Sequence, residues 1–561
     1  MNNKYHLLIL LCTFLFGSAA FAQTTRYVSL DGNDANNGSA WAASYRNLQT
    51  AINNSSDGEV IFVKKGNYLL TTSILMKEGV KIYGSFAGTE TSLSQRDISD
   101  FANDSSKATI LKSNGNQRVI INNFNESTKL TEASVLDGFV ITGGRDSDQG
   151  AGIYNSYASP MLRNLIISEN TVFGRSGYPA PNGRGGGLFN SNSSPTLINV
   201  TISGNTATGG SLSAGAGSSG GGQGGGIFNS NSSPTLINVF ISGNTSNGGW
   251  NGYQGGLAWG GGVYNISSSP ILINVTIAGN KAQGTGGNGG YGPGMTNHEG
   301  SAPKIYNTLL FGIDGTADID AQYSYIEGLS DTTNGNVNAT DFEISDIYTD
   351  YVNGDYSLNN TAPVVNSGSN TLYTNAGGNL SSDKDAMKNA RVYSGTPTVD
   401  IIDMGASELQ REAQTAPSPL NLKISGSFRT GQVLTASYEY TDVENDIESG
   451  STFQWYIANN NSGSGKTAIS EATSTTYTIA EADLNKYISF EVIPDDALSD
   501  VLEDPTKSNW VKVNAPIAMG ANNTLYVKNN ISGGNVTGDS WSNAIPDLAD
   551  ALEWAQQNKN E

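Results

Sequence analysis

Arg145, Asp146, Asp148, Arg163, Glu169, Arg175 and Arg184 bring guanidinium and carboxylate groups together in one part of the chain. Arginines beside carboxylates could hold an acidic sugar. Arg145, Arg163, Glu169, Arg175 and Arg184 are therefore the set that would serve a polysaccharide lyase or hydrolase. The supply of such groups then stops. Gly185 to Asn280, 96 residues, contain no Asp, Glu, Lys, Arg or His. General acid–base catalysis needs a titratable group and calcium needs carboxylates, so this stretch supports neither. Glycosidases use two carboxylates about 5–9.5 Å apart. Glu169 has only Gly204, Gly243 and Gly279 at its equivalent positions, so no such pair is built there. The chain holds one cysteine, Cys12, and two histidines, His6 and His298. His298, in Thr296-Asn297-His298-Glu299-Gly300, is expected in a surface loop.

Uncharged aromatic residues offer different chemistry. Trp250, Tyr253 and Trp259 sit in a Gly-rich segment, and Tyr178 and Tyr291 lie in neighbouring ones. Such rings suit stacking on sugars or contact with a protein, because Tyr and Trp combine apolar area with a polar tip. The alternative is that these segments fold back and cover an apolar face. Asp442, Glu444, Asp446 and Glu448 alternate along one stretch and could bind Ca2+ through oxygen ligands. The stretch lacks the spacing and Gly of an EF-hand loop, and solvated surface is the plain alternative. Glu90 and Arg96 are expected to form a structural pair.

These residues are carried by a repeat. Four segments starting at Gly150, Gly185, Gly224 and Gly260 align without gaps over 25 residues, joined by Gly-rich inserts of 10 to 14. A weaker fifth copy surrounds Ala302-Pro303. The apolar period is two: Val200 and Ile202 point one way, Thr201 and Ser203 the other. Leu162, Leu197, Leu236 and Leu272 are expected inside, and the position of Arg163 and Ile198 faces solvent. Asn recurs at three offsets, as at Asn190, Asn199 and Asn205, where it suits left-handed turns and could hydrogen-bond along a stack. Three short strands per unit, each pairing with the next unit, describe a coil of a parallel β-helix. Gly58–Phe86 and Ala108–Gly144 read as earlier coils. Tyr45, Leu48 and Ile52 lie on one face of a capping helix before them.

Length, at 561 residues, leaves room for more than one domain. Residues 1–22 read as a secretory signal: Lys4, an apolar run from Leu7 to Phe16, and Ala20-Phe21-Ala22 before Gln23. Its cleavage would remove Cys12 and His6, excluding thiol nucleophiles and Cys/His zinc sites, and would take the net charge from −21 to −22. That charge argues against nucleic acid as partner. No later apolar run is long enough to span a bilayer. Residues 23–410 are expected to form the β-helix and 411–419 a Pro-rich linker. Residues 420–514 alternate as the strands of one β-sandwich with Trp455 at its centre. Asp483 and Tyr487 suggest a tyrosine corner. Residues 521–561 repeat the first cap, with Trp541 after Trp41 and Leu548 after Leu48. They are expected to begin a second β-helix in a longer protein.

Gly79–Asp97, Asp355–Gly368 and Asp400–Glu408 resemble secreted right-handed parallel β-helix proteins of the choice-of-anchor type. Gly185–Asn190 and its counterparts resemble the GGxI and FxxN repeats of polymorphic outer-membrane adhesins. Residues 420–514 look like bacterial immunoglobulin-like modules. The resemblance implies an all-β fold: a right-handed parallel β-helix with a short N-terminal capping helix, an immunoglobulin-like sandwich and the start of a second β-helix. It also implies export, with possible attachment to the outer membrane or cell surface, and leaves the partner open. Non-enzymatic binding of a glycan or partner surface is the favoured expectation, with a pectate-lyase-like enzyme or a purely structural surface protein as alternatives. Oligomeric state and ligand are not specified by these residues.

Overall fold

Alternation decides which side chains enter the core. Leu162, Leu197, Leu236 and Leu272 are buried, as are Val200 and Ile202, while Thr201 and Ser203 are half-buried on the outer side. The computed structural model describes residues 24–99, 105–115, 117–177, 179–212, 219–250, 255–315, 319–392, 401–409, 416–443, 447–496, 505–531 and 533–559. The signal segment, Tyr178, Tyr253, Glu444 and Asp446 lie outside the described residues. The chain divides into two compact units, Met1–Tyr393 with Ile401–Gln410, and Ser394–Asp400 with Arg411–Glu561.

The first unit is a parallel β-helix. Its longest sheet stacks Thr25–Val28, Val60–Lys64, Lys81–Phe86, Val135–Thr142, Met161–Ser168, Thr196–Ser203, Thr235–Ser242 and Ile271–Ala278, then shorter strands to Asp320–Gln322. A second sheet runs from Ile120–Asn123 through Ile153–Ser156, Leu188–Ser191, Ile227–Ser230, Val263–Ile266 and Met295–His298 to Ile313–Asp314. A third carries Arg145–Ser147, Thr171–Phe173, Thr206–Thr208, Thr245–Asn247 and Lys281–Gln283. Every repeat strand pairs with its equivalent one coil on, as Leu197 with Leu236 and Asn190 with Asn229. Leu48–Asn53 forms the capping helix, with Tyr45, Leu48 and Ile52 buried in the same core.

Asparagine does two jobs. Asn164, Asn199, Asn238 and Asn274 adopt left-handed backbone at φ 47 to 57°, bending the long strands. Asn122, Asn155, Asn190, Asn229, Asn265 and Asn297 form an amide ladder in which each Nδ2 donates to the next Oδ1 at 2.9–3.0 Å. A second ladder joins Asn170, Asn205, Asn244 and Asn280 at 2.9–3.0 Å. The buried amides of these two ladders are satisfied within the repeats.

The column of Arg163 and Ile198 continues as Ile237 and Ile273. Arg163 is exposed as expected, but Ile237 and Ile273 are buried against Tyr373 and Ile402. The closing segment supplies this cover. Asn274 Nδ2 donates to the carbonyls of Asp403 and Gly405, and Ala406 N donates to Thr276 Oγ1. Behind it Arg391 is fully buried, donates to the Gly405 carbonyl at 2.7 Å and lies 3.9 Å from Glu408. Glu90 and Arg96 do not pair: Glu90 accepts from the amides of Ala87, Gly88 and Thr89, and Arg96 binds Asp137 at 2.8 Å.

The second unit contains an antiparallel sandwich. One sheet joins Ser418–Ser425, Val433–Thr441 and Thr476–Thr478; the other is centred on Thr452–Ala458 and Tyr487–Ile493. The first strand begins inside the span expected as linker. Trp455 is buried at the centre, 5.0 Å from the ring of Phe490, and its indole donates to the Ser474 carbonyl. The hydroxyl on Asp483 comes from a different tyrosine than the one singled out in the sequence. Tyr477 donates to Asp483 at 2.6 Å, whereas Tyr487 opens a strand opposite Ala458. Among the described residues no helix is long and apolar enough to cross a membrane.

Candidate functional site: an aromatic flank on the coils

The described ends of the Gly-rich inserts are strands. Gly183–Arg184, Gly222–Gln223, Ala258–Trp259 and Gly290–Tyr291 form a fourth parallel sheet. Gly185, Gly224 and Gly260 follow the first three of these strands in left-handed backbone, φ 56 to 64°. A Cβ there would come within 2.2–2.6 Å of the carbonyls of Leu188, Ile227 and Val263. Glycine is needed for that close approach, which turns each insert into the next strand of the second sheet.

The outer face of the second sheet carries rings. Tyr154, Phe189, Phe228 and Tyr264 stack at 5.1–5.4 Å with interplanar angles of 2–13°. His298 continues the column 5.3 Å from Tyr264. It is half-buried at the end of a strand opposite Ile266, not in the surface loop expected. Register puts Arg184, Gln223, Trp259 and Tyr291 in a second column. Arg184 donates to Gln223 Oε1 at 2.9 Å and lies over the Phe228 ring at 5.5 Å. Trp259 meets His298 at 6.4 Å and packs against the stacked rings. Burial raises the Tyr264 hydroxyl, an effect that nearby Arg184 opposes, and burial lowers Arg184.

The aromatic residues singled out in the inserts therefore separate. Trp259 has folded back and is half-buried, the outcome that competed with an exposed binding ring. Trp250 and Tyr291 remain 45 % and 44 % exposed. Replacing Gly221 by Ala tests how Trp259 is seated. A Cβ there would stand 2.5 Å from Trp259 Cζ3, so the indole must move. Gly221→Ala should shift the indole N–H resonance of Trp259, identified with Trp259→Phe, and cost about 1–3 kcal/mol. An unmoved resonance would contradict the packing.

The charged set is dispersed. Arg163 lies on the long sheet, Arg145 on the third and Arg184 on the fourth, and Glu169 is an exposed turn residue. Arg175 is paired with Asp148 at 2.6 Å, and Arg145 lies over the Phe173 ring at 4.7 Å. Arg118 pairs with Asp146 at 3.0 Å and covers the Tyr154 ring at 4.6 Å. Burial raises the Asp146 carboxyl, with Arg118 opposing. In the second unit Glu448 accepts from the hydroxyls of Ser451 and Tyr438, and Asp442 follows the strand ending at Thr441.

Sequence reasoning missed Phe189, Phe228, Tyr264 and Gln223. The available signal was an aromatic residue immediately before the ladder asparagine in every copy: Tyr154, Phe189, Phe228 and Tyr264.

Residues 419–497 match the AIR9 A9 domain family, IG_AIR9. No curated protein matches the chain. Among solved structures it is similar to pectate lyase Pel9A, at 15 % identity and TM-score 0.31, over 69 % of this chain and 96 % of that one. A complex of XylC with xylose aligns at 10 % identity and TM-score 0.22, over 75 % of this chain and 100 % of that one. Tailspike protein gp49 of Acinetobacter baumannii bacteriophage Fri1, a capsular polysaccharide depolymerase, aligns at 11 % identity and TM-score 0.21, over 88 % and 81 %. The chain is thus an all-β protein that joins a parallel β-helix to an immunoglobulin-like domain related to the AIR9 A9 family.

Proposed function

We propose that this is an exported, surface-displayed protein that binds glycans without cleaving them, through the aromatic flank of its first unit. The observation that carries the reading is the column Arg184, Gln223, Trp259, Tyr291, set by strand register on a backbone of stacked glycine turns. Neighbouring coils are about 4.8 Å apart, so the column presents groups at regular steps along the axis. Exposed Trp250 and Tyr291 offer ring faces, and half-buried Arg184, held by the buried Gln223, offers guanidinium N–H groups in the same column as the half-buried Trp259. Aromatic rings held by a rigid sheet lose little entropy on binding. The sandwich serves as a spacer, and residues 521–561 as the cap of a second solenoid.

A glycan array probed with the exported chain tests this. Binding to at least one carbohydrate class is expected. Trp250→Ala combined with Tyr291→Ala should weaken it by about 10- to 100-fold, on the order of 1.4–2.8 kcal/mol. Both side chains are exposed, so the double variant should melt with the parent. Unchanged binding in that variant would remove the flank as the site.

A further inference from the structure

The second unit contains a structural copy of the first cap, and the two copies differ in what surrounds them. In the first, Tyr27 N donates to the Gly38 carbonyl, Ser29 N to that of Tyr45, and Tyr45 N to that of Tyr27, each at 2.9 Å. In the second, Tyr526 N donates to Gly538, Lys528 N to Ile545, and Ile545 N to Tyr526, at 2.8–2.9 Å. Tyr27 meets Trp41 edge-on at 4.8 Å, and Tyr526 meets Trp541 edge-on at 5.1 Å. Asn47 caps the helix Leu48–Asn53, and Asp547 caps the helix Leu548–Gln557. The local fold is the same.

The surroundings are not. Leu48 and Ile52 are 2 % and 1 % exposed, because the helix lies on the first coil. Their counterparts Leu548 and Leu552 are 59 % and 60 % exposed, and Trp541 is 64 % exposed. A backbone difference accompanies the apolar one. Thr25–Val28 pairs in parallel with Val60–Val63 on the edge away from Tyr45. Val527 pairs with Ile545, and among the described residues no strand lies on the opposite edge of Leu525–Lys528. Extended backbone with one unpaired edge, beside a bare aliphatic helix face, is what a further β-strand recognises.

We infer that this face of the second cap is the docking surface for a parallel β-coil with an aliphatic inner strand, seated as residues 59–86 are seated on the first cap. The occupant would bring an aliphatic strand like Val60-Ile61-Phe62-Val63, hydrogen-bonded to Leu525–Lys528 and packed on Leu548 and Leu552. The inference is independent of glycan binding.

The test compares the 561-residue chain with one extended after Asn558 by a copy of residues 55–168. Amide hydrogen exchange at residues 525–528 is expected to be fast in the parent and about tenfold slower in the extended chain. A second measurement needs no extension. Leu48→Asp should lower the melting temperature of the parent by more than 5 °C, and Leu548→Asp should leave it within about 1 °C, since surface substitutions change little. Equal exchange in both chains would overturn the inference, as would a destabilising Leu548→Asp in the parent. Protection that appears in the parent only with concentration, together with a dimer by light scattering, would assign the face to a second copy and also overturn it.

Discussion

Asn229→Leu should lower the unfolding free energy of the β-helix by about 2–6 kcal/mol. Asn229 is buried, accepts from Asn190 Nδ2 at 2.9 Å and donates to Asn265 Oδ1 at 2.9 Å. Leucine has nearly the same reach but no polar atoms. It would strand one donor above and one acceptor below, and each stranded buried group costs about 1–3 kcal/mol. The damage should be local to the ladder, so amide exchange should quicken in Leu188–Ser191 and Val263–Ile266 before the sandwich responds. Urea unfolding with exchange read at these strands checks it. A loss under about 0.5 kcal/mol would mean that the ladder adds little to the stacking of the coils.

The second large effect is a pH dependence set by Glu408. Burial pushes its carboxyl up to about 9; Asp403 adds to the shift, and Arg391 opposes it. Asp385 is also raised, again chiefly by burial. In the unfolded chain a glutamate titrates near 4.5. Between pH 4.5 and 9 the native state therefore holds the proton that the unfolded state has released, and stability falls as pH rises through this window. Full stability from this group is present below its unfolded value. The loss should reach the order of a few kcal/mol by pH 9. Glu408→Gln keeps the shape, removes the proton and should flatten the slope between pH 5 and 9. A parent whose melting temperature is constant across that range, or a variant with the parent's slope, would contradict the assignment.

The repeat was legible because its inward positions obey one rule in every coil. Leu162, Leu197, Leu236 and Leu272 are all core, and the asparagines at fixed offsets all join ladders or bends. The aromatic flank was not legible. Leu188 and Phe189 are both apolar and point to opposite faces, so alternation alone cannot say that the second needs cover. The cover comes from inserts whose strands are Gly-Arg, Gly-Gln, Ala-Trp and Gly-Tyr, too dissimilar to align with each other. Ile237 and Ile273 carried a similar ambiguity. Their column begins with a solvent-facing Arg163, and only a segment more than a hundred residues later makes them core. Asp483 accepts from Tyr477 and not from Tyr487, because proximity in sequence to Asp483 does not give proximity of the hydroxyl.

The most direct test of glycan binding without cleavage is one incubation read in two ways. The strongest array ligand is mixed with the protein, its mass is followed over a day, and amide exchange is mapped on the complex. The account predicts a ligand of unchanged mass and slowed exchange confined to residues 183–184, 219–223, 248–250, 255–262 and 290–298. Shortened or unsaturated products, or protection around Arg163 and Glu169 instead, would contradict it.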